Sequence, residues 1–337
     1  ADGWDVLALS RRAPDVTVGP GDVRHLAVDL LDQDATRTAL RETRVSHVVY
    51  TALFEKPGLI EGWREKDQME ANATMLRNLM EPLGDAVEHV SLLQGTKAYG
   101  VHLHPIPLPA RERAPRDEHE NFYWLQEDYL RQLCQERGAH MTVLRPQVIF
   151  GGCVGVAMNL LPVVGAFAAL CGREGIPFSY PGGPVYPQEG VDSRLMAAAL
   201  RWCATAPAAF DETFNITNGD VFHWRGLWPA MAAAIGTAPG PDERRSMVQF
   251  LASREGDWQE IVRENGLVAN TLQSLCGESH HYADFQFGYD LADEPPYGLV
   301  STVKLREAGF GDCFDTEATV TYWMRDLVRR RIVPSLA

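Results

Sequence analysis

At 337 residues, 45% hydrophobic and 23% charged, the chain is long enough to bury a sizeable core, as one large domain or two unequal ones. Its formal net charge of −14 argues against a nucleic-acid or anionic-membrane surface, which needs a basic stripe to neutralise phosphates. Six cysteines (Cys134, Cys153, Cys171, Cys203, Cys276, Cys313) show no CxxC spacing, so no zinc site, no other metal site and no disulfide framework is expected, and a reduced cytoplasmic setting is the simplest fit. The longest apolar run, 154–171, is interrupted by Asn159, Pro162 and several glycines and reads as a core or substrate-lining helix, not a membrane span.

In chain order, residues 5–10 form an apolar strand ended by Ser10, Arg11 and Arg12. This opening leads to the expectation that the first strand and glycine turn of a dinucleotide-binding βαβ unit lie upstream. A short strand over 25–29 runs into a helix capped near Asp32 or Asp34. Residues 45–52 are almost continuously apolar, the mark of a parallel strand buried on both faces. A helix is predicted over 62–83, with Met69, Ala73, Leu76 and Met80 at helical spacing and with Asn72 near the buried face, where it requires partners. A strand over 86–93 delivers Gln94, Gly95 and Lys97, and the proline-rich stretch 99–119 reads as a surface loop. His102 and His104 within it are discounted as zinc ligands because no acidic or Cys partner stands at ligand spacing.

The helix carrying Tyr123 ends near Gly138, and 141–150 read as one strand running into the Gly151-Gly152 turn. Helices over 158–171 and 191–202, a strand over 214–219 and a mostly helical remainder from Trp224 complete the pattern. Alternation of this kind predicts an α/β fold: a Rossmann-type, doubly wound parallel sheet with a smaller, mostly helical C-terminal substrate-binding domain. Residues 1–152, completed by 186–222, are expected to bind the nucleotide; 153–185 and 223–337 form the substrate-binding part.

Ligands of such sheets sit at the carboxyl ends of the strands. An acidic residue after the second strand favours a free ribose 2′-hydroxyl, whereas arginine favours a 2′-phosphate; Arg11 and Arg12 stand there without an acid. Paired guanidiniums offer bidentate donors and a planar face for adenine, although the dipeptide alone is equally compatible with a solvated strand end. Asp29 and Leu30 are candidates for contact with the base, or a plain helix cap. Tyr123 has Glu127 at i+4, a carboxylate that would raise a neighbouring phenol's pKa; a cation for it could come from Lys97. On residue type alone Tyr123 also fits an aromatic core beside Phe122 and Trp124.

These segments in order resemble the extended short-chain dehydrogenases, and more narrowly the progesterone 5β-reductase and iridoid synthase-like enone reductases. The resemblance is carried by Ser10-Arg-Arg, Asp29-Leu30, Lys97 in a Gly-x-Lys-x-Tyr-x-Gly context, Asn121-Phe-Tyr-Trp-x-x-Glu-Asp128, Arg145-Pro-x-Val-Ile-Phe-Gly151 and Phe214-Asn-Ile-Thr-Asn-Gly-Asp-Val-Phe222. It implies NADPH/NADP+ as cofactor and 1,4-reduction of a small-molecule enone or enal. It further implies Tyr123 and Lys97 as the catalytic pair, Ser10, Arg11 and Arg12 at the 2′-phosphate, Asp29 and Leu30 at adenine, and Thr51, Ala52, Gln94, Pro146 and Val148 along the cofactor, with Lys97 and Tyr123 touching it as well. Two departures bear on specificity. Thr51-Ala52-Leu53 stands where family members often carry Thr-Trp-Ala, and Trp124 replaces the second tyrosine of Asn-Phe-Tyr-Tyr. Direct carbonyl reduction by the same tyrosine and a non-catalytic NADP-binding role are the alternatives; Tyr99 is a rival acid, and the oligomeric state, a homodimer included, stays open.

Overall fold

The computed structural model describes residues 3–13, 23–56, 61–268 and 270–337. In chain order its elements are β1 (Val6–Ser10), β2 (Val23–Ala27), α1 (Gln33–Leu40), β3 (His47–Tyr50), α2 (Lys66–Met80), β4 (His89–Leu93), α3 (Phe122–Arg137), β5 (His140–Pro146), β6 (Val148–Phe150), α4 (Leu161–Glu174), β7 (Gly190–Asp192), α5 (Ser193–Thr205), β8 (Thr213–Ile216), α6 (Trp224–Ile235), α7 (Met247–Leu251), α8 (Glu255–Glu264), α9 (Leu272–Cys276), α10 (Ser279–Gln286), α11 (Val303–Glu307) and α12 (Thr316–Arg329). Strands β3, β4, β5 and β8 lie in that order in one sheet, while β1–β2 and β6–β7 form two-stranded parallel sheets. Parallel strands with intervening helices are the Rossmann-type α/β arrangement expected from the alternation.

The chain divides into two compact units, one of residues 1–54, 63–92 and 120–142, the other of 55–62, 93–119 and 143–337. In the first, Asp32 starts α1 by accepting the Ala35 N–H at 2.9 Å, a side-chain cap of a donor the helix leaves unpaired. Met69, Ala73, Leu76 and Met80 of α2 are all buried, as their spacing predicts, and α2 packs on α3. Asn121 caps α3 by accepting the Tyr123 N–H at 3.0 Å, and Gly138 closes the helix at φ 68°, a left-handed conformation that favours glycine. Asn72, with no exposed surface, finds its partners: Oδ1 accepts the Phe54 N–H at 2.9 Å, while Nδ2 donates to the Phe54 and Gln68 carbonyls at 2.8 and 2.9 Å. Its own carbonyl accepts Gln126 Nε2 of α3 at 2.9 Å.

In the second unit, α4 is buried along nearly its whole length and packs against α7, α8, α9, α10 and α12. Phe167, Phe178, Trp228, Phe250 and Phe287 form the aromatic centre of this core, with Phe178 stacked on Trp228 at 4.6 Å between centroids. No disulfide links the six cysteines. Among the described residues no helix is long and apolar enough to cross a membrane.

Several boundaries differ from the sequence expectation, each for a local reason. The predicted strand over 141–150 is two: β5 pairs with β8, β6 with β7, and the break falls after Pro146, which has no N–H for a ladder. Residues 81–86 form a 3-10 turn with Gly84 at φ 65°, so β4 starts only at His89. Asp192 ends β7 and caps α5 by accepting the Arg194 N–H at 2.8 Å, which removes Val191 and Asp192 from the predicted helix. At the start of α4, Asn159 binds the Gly151 and Cys153 carbonyls through Nδ2, at 2.9 and 2.7 Å, and the helix begins at Leu161 and not at Met158.

Candidate active site

The carboxyl ends of β1, β2 and β3 present the predicted nucleotide residues in the first unit. Ser10 and Ala27 are register partners, and the Val28 N–H donates to the Ser10 carbonyl at 3.3 Å, so 10–12 and 28–30 emerge side by side. Ser10 Oγ donates to the Arg12 carbonyl at 2.5 Å and lies 3.1 Å from His25 Nε2, which fixes the bend that turns Arg11 and Arg12 outward. Both guanidiniums are exposed and make no ion pair among the described residues. Asp29 is exposed, with Oδ1 accepting the Leu31 N–H at 3.0 Å. Leu30 is buried, and its carbonyl accepts Asn78 Nδ2 at 2.7 Å, so what it can offer a base is backbone. Thr51 is exposed and Ala52 half-buried just past β3.

Tyr123 is the second residue of α3, buried, with its ring edge-on to Trp63 at 5.5 Å and to Phe122 at 4.7 Å. The carboxylate at i+4 is tied up: Glu127 Oε1 accepts Nε and Nη2 of Arg131 at 3.0 and 2.8 Å. The sequence concern that Glu127 acts on the phenol is thereby reduced, because a guanidinium pairs the charge one turn further along.

In the second unit, Gln94 leads out of β4 into a 3-10 turn over Thr96–Tyr99. Gly100 closes that turn at φ 75°, donating its N–H to the Lys97 carbonyl at 3.1 Å; a Cβ there would also meet His104 Nε2 at 2.6 Å, so only glycine serves both demands. Lys97 is half-buried. Burial pushes its ammonium down to about 8, and the neighbouring Glu55 carboxylate opposes that shift. Tyr99, on the same turn, donates its hydroxyl to Asn215 Oδ1 at 2.7 Å. Arg145 stands over the Tyr99 ring at 5.0 Å and donates Nε to Gln94 Oε1 at 2.9 Å. Asn215 is itself fixed: Nδ2 donates to the Ala110 and Ser301 carbonyls, and its N–H to Glu112 Oε1. The Tyr99 hydroxyl is thus committed to Asn215, where it braces the turn, and burial raises its phenol above the ordinary range. Among the other predicted cofactor residues, Gln94 uses its amide oxygen on Arg145, Pro146 is buried in register with Ile216, and Val148 is half-buried in register with Gly190.

Sequence reading missed the network of buried Gln94, Arg145, Tyr99 and Asn215 with half-buried Glu112, whose members lie up to 121 positions apart; only the polar Asn215 inside a strand hinted at it. It also missed the acidic partner of His104. Asp117 lies between His104 Nε2 at 3.0 Å and His119 Nδ1 at 2.7 Å, although no group of described residues could hold a metal ion.

Residues 1–156 match the NAD dependent epimerase/dehydratase family. The chain is 29% identical to an (S)-8-oxocitronellyl enol synthase of Camptotheca acuminata and 29% identical to the 3-oxo-Delta(4,5)-steroid 5-beta-reductase of Arabidopsis thaliana, each time over 98% of this chain and 86% of the relative. It resembles the progesterone 5β-reductase and iridoid synthase-like reductases over nearly its whole length. Among solved structures, the UDP-glucose 4-epimerase of Thermus thermophilus, a complex with NAD, matches 97% of this chain and 92% of its own with a TM-score of 0.63 at 20% identity. That likeness shows the Rossmann-type α/β fold.

Proposed function

We propose that the protein is an NADPH-dependent reductase of the C=C bond of α,β-unsaturated carbonyl compounds, with Tyr123 as proton donor and Lys97 as its cation. The observation that carries this reading is Lys97: a half-buried ammonium, lowered to about 8, on a glycine-closed turn at the carboxyl end of β4, where ligands of parallel sheets bind. The names of the relatives, an enol synthase and a steroid 5-beta-reductase, support it. Residues 1–152 with 186–222 form the nucleotide-binding part in this reading, and 153–185 with 223–337 the substrate-binding part.

The residues at the ends of β1 to β3 fit a phosphorylated dinucleotide. Arg11 and Arg12 are exposed donors without a carboxylate partner among the described residues, suited to a 2′-phosphate. Asp29, through its second oxygen, and the Leu30 backbone suit the adenine edge; Thr51, Ala52, Gln94, Pro146 and Val148 would contact the rest of the cofactor in this reading. The reduced nicotinamide, when bound, supplies a hydride.

The chain's own task is the oxygen at the other end of the enone. As the β-carbon is reduced, negative charge collects on the carbonyl oxygen, and a donor held in a water-poor site stabilises it. Tyr123, buried among Trp63 and Phe122, has that setting. Lys97 would hold the nicotinamide ribose hydroxyls and, as a cation, would favour the phenolate left when Tyr123 passes its proton to the enolate.

The test is the loss of reduced-nicotinamide absorbance with a panel of enones and enals, followed by product identification. A saturated aldehyde from an enal is expected, with kcat in Tyr123→Phe lower by about two to four orders of magnitude. An allylic alcohol as product would replace this reading with direct carbonyl reduction.

A further inference from the structure

Helix α10 carries an interior amide that the fold does not use. Tyr282 and Gln286 stand one turn apart, so their side chains leave the same face. Gln286 is 8% exposed, and its side-chain Oε1 is fully buried without a hydrogen-bond partner. Its main-chain carbonyl, by contrast, is engaged twice, by Tyr186 Oη at 3.1 Å and Gln188 Nε2 at 2.8 Å. Gln188 is fixed from its other end, where Oε1 accepts the Trp224 indole N–H at 3.1 Å, so this amide cannot turn to serve Gln286. The Tyr282 hydroxyl likewise makes no hydrogen bond among the described residues.

The position is tied to the candidate site through one carboxylate. Glu55 acts electrostatically on both the Tyr282 phenol and the Lys97 ammonium, and Tyr186 acts on Tyr282 as well. A pocket for a purely hydrocarbon substrate has no use for an amide here, because a buried acceptor without a donor is penalised and a leucine of similar volume is not. Buried polar groups that stay unpaired in a native fold call for a missing partner.

We propose that Tyr282 and Gln286 form a polar end of the substrate pocket that selects enones bearing a hydroxyl group remote from the carbonyl. This rests on the enone-reductase reading. The ligand hydroxyl donates to Gln286 Oε1 and accepts from Tyr282 Oη, filling both unused groups with one substituent. A site built to hydrogen-bond a hydroxyl discriminates strongly against the analogue that lacks it, since its own polar groups are then left unpaired.

The experiment measures binding and turnover separately, on the full chain loaded with NADP+. Calorimetry compares a linear saturated methyl ketone with its terminally hydroxylated counterpart, and steady-state kinetics with NADPH compare the matching enones. The hydroxylated member is expected to bind, and to give a kcat/KM, at least about tenfold better. Gln286→Leu, and independently Tyr282→Phe, which removes only the hydroxyl, are expected to bring that ratio toward one. Equal affinities in the wild type, or a ratio that survives both variants, overturns the proposal. Turnover of enones with a ratio of one sinks the polar subsite and leaves the reductase reading standing; a tenfold binding ratio without turnover of any enone does the reverse.

Discussion

A half-buried ammonium is held at a cost, and Lys97 is such a group. Its shift from the ordinary 10.5 to about 8 corresponds to up to about 3 kcal/mol of destabilisation when the group is charged. The sign follows from proton counting. Between about pH 8 and 10.5 the unfolded chain binds the proton and the folded chain has released it, so stability rises with pH across that window,. Below about 8 both states are charged and the full penalty applies. Lys97→Met is therefore expected to stabilise the cofactor-free protein by about 1–3 kcal/mol at neutral pH and to flatten the rise above pH 8, while abolishing turnover. Urea unfolding at several pH values checks both; an unchanged pH slope contradicts the burial of the charge. Nothing in the sequence beyond family resemblance marked Lys97 as desolvated, because its desolvation comes from what the fold packs around the turn and not from its chain neighbours. Gln286 was less legible still: in His280-His-Tyr-Ala-Asp-Phe-Gln-Phe287 no periodicity tells which polar group faces the interior.

At the level of elements, hydrophobic period and a closing glycine were enough to locate β1, β3, α2 and the end of α3, with α2 and β3 shorter than expected. Those signals are local: Met69, Ala73, Leu76 and Met80 repeat at helical spacing, and Gly138 closes α3. What failed was local too. Pro146 and Gln147 divide an apolar run that reads as one strand, because strand pairing is decided by partners 40 to 70 residues away, β7 and β8, and the run itself carries no trace of the change. Asn72 lies between the two cases. Its need for partners was readable, but that they would be both main-chain groups of Phe54 was not. Since it ties the segment after β3 to α2, and α2 to the helix that carries Tyr123, Asn72→Leu should be costly. Loss of its three side-chain bonds, with the Phe54 N–H and carbonyl left unpaired, is expected to destabilise by about 2–4 kcal/mol, measured by chemical denaturation. A cost below about 0.5 kcal/mol, the range of ordinary surface substitutions, would mean that water replaces the amide.

For the whole molecule, acidity and cofactor choice combine in one measurable quantity. A chain of net charge −14 repels a polyanionic ligand at long range, so affinity for a 2′-phosphate has to come from the few local cations aimed at it, and Arg11 and Arg12 are exposed at the required strand end. Each charge-assisted contact contributes about 1.5–3 kcal/mol, so NADPH is expected to hold at least a tenfold advantage over NADH. Ligand that binds only the folded chain stabilises by mass action, so at equal saturating concentrations a tenfold difference in Kd appears as about 1.4 kcal/mol. With an unfolding entropy of about 2.1 cal/mol/K per residue, a chain of this length converts that into about 2 °C of Tm. NADPH is therefore expected to raise Tm by about 2 °C or more beyond NADH, and the Arg11→Ala/Arg12→Ala double variant to erase the difference by lowering the NADPH curve onto the NADH curve. Screening adds a second condition: the gap narrows as salt rises, because the guanidiniums are exposed. Equal shifts for both cofactors in the wild type would remove the 2′-phosphate role from Arg11 and Arg12, and a gap that persists in the double variant would assign it to other cations of the chain.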